Sequence, residues 1–177
     1  MVLHVCSYLR DAWGRSAEQI FHIFAKKQEM MNIAVIDKDK RGQMLIGELL
    51  KIWEASVRAS HHFLTDTDIV RLIPQAEGAL RNIETLWVVE DNRCPIGFMG
   101  VQERKIEMLF LRPDYFRKGL GKKLVERAFR DMNVEYVDVN EQNPDALRFY
   151  ECMGFKVFKR NECDGEGNPF PILEMKR

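Results

Sequence analysis

At 177 residues, 46% hydrophobic and 31% charged, the chain has the make-up of a globular protein large enough to bury a core. Lys plus Arg balance Asp plus Glu at 27 each, so no overall basic field advertises nucleic acid as a partner. No apolar run reaches membrane-spanning length, no leader pattern opens the chain, and Cys6, Cys94, Cys152 and Cys163 lack zinc-ligand or disulfide spacing. The expectation is a cytoplasmic protein with free thiols, without metal, membrane or nucleic-acid partners.

Residues 1–30 carry no recognisable chemistry. Ser16 to Lys27 suits a short helix burying Ile20, Phe21, Ile23 and Phe24, and Met30-Met31 suggests an extension ahead of a domain over residues 31–177. Asn32 to Asp37 reads as a strand, closed by the charged turn Asp37 to Gly42. Gln43 to Arg58 reads as a helix with Leu45, Ile46, Leu49, Leu50, Trp53 and Val57 on one face. Ser60 to Leu64 is a loop holding His61 and His62. Thr65 with Asp68 is a capping box for a second helix. Ile69, Val70, Leu72 and Ile73 are expected on its inner face, and Pro74 is expected to kink or end it.

Glu84 to Glu90 and Ile96 to Val101 form a hairpin about Asp91-Asn92-Arg93. Ile106 to Leu111 reads as a buried strand, ended by Pro113 and Asp114. Gly119 and Gly121 precede a strongly amphipathic helix. Leu120, Leu124, Val125, Ala128, Phe129 and Met132 form its apolar face, and Lys122, Lys123, Glu126, Arg127 and Arg130 point away. Val134 to Asn140 is a strand. Asn143 caps a helix opened by Pro144, carrying Ala146, Leu147, Tyr150 and Met153 inward and stopping at Gly154. Phe155 to Lys159 and Phe170 to Met175 are strands about the loop Asp164 to Asn168. This order describes an α/β fold with a mixed sheet. No internal repeat is present.

The turn before the amphipathic helix has a specific chemistry. The first N–H groups of a helix lack internal partners and carry partial positive charge, and glycines remove the Cβ atoms that hold a diphosphate away. Arg112 to Arg130 holds seven Lys or Arg against Asp114 and Glu126. The turn suits a pyrophosphate, although a well-capped helix with a solvated basic face accounts for the same residues. A Walker loop does not fit, because Lys123 follows Gly121-Lys122 and Phe116 stands where its first Gly belongs. A dinucleotide fingerprint does not fit either, because Leu124 replaces the third Gly.

The run L-F-L-R-P-D-Y-F-R-K-G-L-G resembles the coenzyme A motif of the GNAT superfamily of N-acetyltransferases: Arg or Gln, two residues, Gly, one residue, Gly or Ala. Gly119 and Gly121 match, whereas Phe116 stands at the Arg or Gln position with Arg117 next to it. Downstream, N-E-Q-N-P-D-A-L-R-F-Y-E-C-M-G-F is similar to the family pattern at Asn143, Ala146, Tyr150, Gly154 and Phe155. Trp53, His61, Phe63 and Leu64, with the N-E-Q-N run, look nearest to small bacterial YjaB-type members. The resemblance implies a GNAT fold, a mixed and mostly antiparallel twisted sheet flanked by helices. It also implies direct acetyl transfer from acetyl-CoA to a primary amine in a ternary complex, with a homodimer common in the family. The coenzyme would lie along Leu109, Phe110, Leu111, Arg117, Lys118, Gly119, Leu120, Gly121 and Lys122, with Asn143 bonding the pantetheine arm. The bulged central strand would free N–H groups near Leu109 and Leu111. Tyr150 would protonate the leaving thiolate; the competing reading is a core aromatic with a satisfied hydroxyl. For the general base, Glu107, His61 and a water chain all stand. A non-catalytic module that senses acetyl-CoA is the alternative function.

Overall fold

The computed structural model describes residues 31–165 and 167–177. The expected helix at 16–27 and the extension over 1–30 lie outside the described residues. Seven strands and four helices follow in the expected order: β1 (Met31–Val35), α1 (Gln43–Ser60), α2 (Asp66–Asn82), β2 (Thr85–Asp91), β3 (Cys94–Gln102), β4 (Lys105–Leu111), α3 (Leu120–Met132), β5 (Tyr136–Asn140), α4 (Pro144–Cys152), β6 (Lys156–Asn161) and β7 (Ile172–Lys176).

The strands form one sheet in the order β1-β2-β3-β4-β5-β7-β6. Every neighbouring pair is antiparallel except β4 and β5, which pair in parallel only at Lys105↔Tyr136 and Ile106↔Val137. Beyond Ile106 these two strands share no further register among the described residues, so the sheet opens there into a wedge.

The central strands are apolar on both faces because both faces are covered. Trp87, Val89, Ile106, Leu124, Val125, Tyr150 and Phe155 form one core, on the side of α3 and α4. Ile46, Leu49, Trp53, Val57, Leu80, Val88, Phe98 and Met108 form the other, against α1 and α2. Each fully buried Leu or Val contributes about 1.5–3 kcal/mol relative to exposure.

Three readings are corrected. Val70 is 60% exposed. The buried stripe of α2 runs through Ile69, Leu72, Ile73, Ala76 and Leu80, one helical turn at a time, and Val70 falls off it. Pro74 sits inside α2, which continues to Asn82, so of the two expected outcomes, a kink or an end, the end is excluded. The carbonyl that loses its partner to Pro74 belongs to Val70, four residues back on the exposed side, where water can take the bond. The strand β4 is not buried throughout, because Glu107 is exposed.

Two local readings hold. Thr65 accepts from the Asp68 N–H at 3.2 Å while Asp68 accepts from the Thr65 N–H at 3.1 Å, a reciprocal cap worth about 1 kcal/mol. The hairpin turn places Asn92 and Arg93 at φ 51° and 66°, the paired left-handed geometry that follows strand twist.

Candidate active site

The wedge between β4 and β5 is lined by backbone. The Arg112 N–H donates to Ile96 O on β3 at 2.8 Å. Successive N–H groups alternate sides along a strand, so those of Leu109 and Leu111 face away from β3, into the opening. The register of β3 with β4 slips between Gly100 and Val101, leaving Glu107 as the bulged residue. The bulge thus lies two residues before Leu109 and re-aims the rest of the strand. Leu109 and Leu111 pack toward the α3 and α4 core, whereas Phe110 packs on the opposite face against Phe98. Phe110 therefore separates from its two neighbours and belongs with His61.

At the mouth of the wedge the chain turns into α3. Arg117 and Gly119 both take left-handed backbone, at φ 58° and 77°. Such alternation turns successive N–H groups into one concavity that suits an anion. Lys123 N donates to Gly119 O at 3.1 Å as the first helical bond, and no side chain caps the N–H groups ahead of it. A Cβ built on Gly119 meets nothing within 4 Å, so the space above it is open. Gly121 does a different job: a Cβ there stands 3.4 Å from Phe149 Cζ, so its bareness lets α4 close on α3. Residues 109–122 thus fit a diphosphate carrier by backbone. Arg117, Lys118 and Lys122 are exposed around it, with Arg117 3.8 Å from Asp145 and Lys122 3.7 Å from Glu126.

Tyr150 is 7% exposed and stands edge-on to Phe149 and Phe155 at 5.0 and 5.6 Å. Burial alone pushes its phenol well above the usual range. No hydrogen bond to its hydroxyl is made among the described residues. Asn143 is buried and its Oδ1 accepts from the Ala146 N–H at 3.1 Å, so its cap role is real. That bond leaves the Asn143 amide N–H₂ for another partner.

On the opposite face, His61 stacks near Phe63 and Phe110, at 5.6 and 6.4 Å. Ser60 Oγ donates to Ser56 O at 2.7 Å, so toward His61 Nδ1, 2.8 Å away, it accepts. This assigns the proton to Nδ1 and leaves the Nε2 lone pair open. Burial, helped by His62, pulls the His61 imidazole down to about 4, so it is neutral at physiological pH. Glu107 lies 3.4 Å from Lys105 Nζ, which also bonds Asp138 at 2.6 Å.

Sequence reasoning missed three features. Phe170 reaches Phe63 at 5.7 Å, and Arg71 donates to Asn168 at 2.6 Å, so the β6–β7 loop closes on the α1–α2 loop. Tyr115 donates to Asp91 at 2.6 Å, tying the turn before α3 to the β2–β3 hairpin. Arg41, in the charged turn Asp37 to Gly42, is buried and donates to the carbonyls of Ile36, Leu80, Arg81, Ile83 and Glu84. None has a local signal, because each pairs residues far apart in sequence.

An opened sheet, a bare helix N-terminus at its mouth and a buried tyrosine in the adjoining core suit an enzyme that handles a diphosphate-bearing carrier. Residues 82–157 match the acetyltransferase (GNAT) domain family. Over 129 residues the chain is 40% identical to the peptidyl-lysine N-acetyltransferase YjaB of Salmonella typhimurium, spanning 72% of this chain and 88% of that one. The solution structure of apo YjaB from Escherichia coli superposes with a TM-score of 0.71 at 33% identity, over 82% of this chain and 96% of that one. A Thermoplasma acidophilum PaiA N-acetyltransferase, crystallised with coenzyme A, shares the fold at a TM-score of 0.62 and 21% identity, over 83% of this chain and 99% of that one. The chain belongs to the GNAT family of N-acetyltransferases. Among the described residues no cluster suits a metal ion.

Proposed function

We propose that this enzyme acetylates the ε-amine of lysine in a protein or peptide, with residues 31–177 as the catalytic domain. The observation that carries the acceptor is the 40% identity to a peptidyl-lysine N-acetyltransferase across most of both chains. Bound acetyl-CoA would supply a thioester whose carbonyl carbon accepts a nucleophile.

The chain's own groups account for each requirement of that transfer. The N–H groups of residues 120–122 hold the diphosphate, helped by Arg117, Lys118 and Lys122. The Asn143 amide and the N–H groups of Leu109 and Leu111 bond the pantetheine arm and the carbonyl oxygen as it gains negative charge. Glu107, through water, takes the proton from the lysine ammonium. His61, which burial keeps neutral, takes the positioning role. Its open Nε2 accepts a hydrogen bond from the neutral amine and orients it, and Phe63, Phe110 and Phe170 wall the methylene stem. As the C–N bond forms and the C–S bond breaks, Tyr150 offers its hydroxyl proton to the departing sulfur and is restored by the proton that the nitrogen sheds on becoming an amide. Its raised affinity for that proton keeps the donor loaded at every working pH. It also makes full transfer late, so most of the benefit is a hydrogen bond to developing thiolate charge.

The test is incubation with acetyl-CoA and two peptides, one lysine-bearing with a blocked N-terminus, the other lysine-free with an open one. Thiol release and mass spectrometry should show acetyl only on the lysine side chain. Acetyl confined to the open N-terminus would overturn the acceptor assignment.

A further inference from the structure

The turn that carries the donor's charge has few anchors of its own. Residues 112–119 run between the end of β4 and the start of α3, and Arg112, Pro113, Asp114, Arg117, Lys118 and Gly119 are all exposed or half-exposed. Tyr115 is better covered. Its hydroxyl bonds Asp91 Oδ2 at 2.6 Å, and Asp91 is only 9% exposed. Asn92 Nδ2 holds the other oxygen, Asp91 Oδ1, at 2.9 Å, so the carboxylate is fixed from both ends. The Tyr115 ring in turn carries two cations. Lys118 Nζ lies 5.2 Å from its centroid and the Arg112 guanidinium 5.8 Å. Arg112 is already forked onto Asp114, with bonds of 3.1 and 3.0 Å. Lys118 immediately precedes the left-handed Gly119 over which the space is open.

The geometry points to Tyr115 and Asp91 as positioning residues for the donor: the Asp91–Tyr115 bond sets the ring that aims Lys118 at the diphosphate. This rests on the donor placement under the proposed function. A lysine on a free loop spreads its charge over many rotamers, whereas one resting on a fixed aromatic face surrenders less entropy when it pairs with phosphate. The Asp91 bond, with burial, pushes the Tyr115 phenol up to about 12, so the donor proton of the tether is never lost in the working range.

The experiment compares acetyl-CoA with S-acetylpantetheine, a truncated donor without diphosphate or nucleotide. Tyr115→Phe should raise the KM for acetyl-CoA about tenfold while kcat moves less than about twofold. Kinetics with S-acetylpantetheine should not distinguish Tyr115→Phe from wild type. In a Lys118→Met background, Tyr115→Phe should add little, because the tether acts through that lysine. Asp91→Asn, which keeps an acceptor oxygen, should restore most of what Asp91→Ala loses. Equal losses with both donors, or fully additive effects with Lys118→Met, would overturn the tether. Should Tyr115→Phe prove too unstable to assay, Lys118→Met, on an exposed side chain, still reads the point: an unchanged KM for acetyl-CoA overturns it. The underlying placement fails separately, if Gly119→Glu leaves donor affinity intact.

Discussion

The two sides of the opened sheet are built by different means. On the α3 and α4 side, Lys118, Asn143 and Tyr150 add to a proposed donor site made chiefly of main-chain groups: N–H groups at residues 120–122, and at Leu109 and Leu111. Their positions follow from helix and strand geometry, and their charge does not titrate. On the α1 and α2 side, the proposed acceptor wall is side-chain: His61, Phe63, Phe110 and Phe170, with the Arg71–Asn168 bond joining its parts across 97 residues of sequence. A donor shared by a whole family can be met by backbone. An acceptor that differs between enzymes is met by groups that can be exchanged without disturbing the fold.

The sharpest way to break this contrast is to put a charge among the main-chain donors. Gly119→Glu should lower coenzyme A affinity about a thousandfold in calorimetry, since a carboxylate would stand in the diphosphate's space. Gly119→Ala separates the causes, because it carries the left-handed strain of about 1–2 kcal/mol without the charge. If both variants bind coenzyme A as well as wild type, backbone at this turn does not hold the donor. Next in size, Tyr150→Phe should cut kcat about a hundredfold with KM for acetyl-CoA nearly unchanged, as expected for a group needed only when sulfur departs. A rise in KM without loss of kcat would instead make Tyr150 a packing residue.

The same contrast explains how far the sequence can be read. The donor side is legible because glycine, proline and N-cap positions obey local rules: Gly119, Gly121, Asn143 and Pro144 each sit where a few neighbouring residues require them. The element order and the amphipathic faces are legible for the same reason, with Val70, and an end at Pro74, as the misses. Arg41 reads only as part of a charged turn because four of its carbonyl partners, on Leu80, Arg81, Ile83 and Glu84, lie 39 to 43 residues away. Asp91 and Tyr115 lie 24 residues apart, and nothing in either neighbourhood announces the bond. Phe170 is invisible as a wall residue, and Arg71 as its anchor, because the contact of the β6–β7 loop with the start of α2 exists only once the sheet has brought the two ends together.

If the acceptor side relies on side chains, it should also be the side that feels pH. The folded value of His61, about 4, lies below its ordinary 6.5. The unfolded chain therefore takes the proton first, and stability is fully present above about 6.5 and drains away as pH falls toward 4. From pH 7 to 5 the loss from this one group is about 2 kcal/mol. Urea midpoints for His61→Gln should show that portion of the acid sensitivity removed, because glutamine has no proton to gain. An unaltered slope of stability with pH would mean that the imidazole is better solvated than its place against Phe63 and Phe110 suggests.

The smallest effect tests the seam itself. Arg71 is half exposed and also pairs with Asp68 at 3.3 Å, so its loss costs the fold little. Its bond to the buried Asn168 is what draws the β6–β7 loop, with Phe170, against Phe63. Arg71→Ala should therefore raise KM for a lysine peptide about threefold while coenzyme A affinity stays put. Asn168→Ala should do the same, and the double variant should be no worse than either alone, since one bond cannot be removed twice. Were donor affinity to fall in step with the peptide's, the two sides of the sheet would be mechanically one unit, and the division between a main-chain half and a side-chain half would describe composition without describing function.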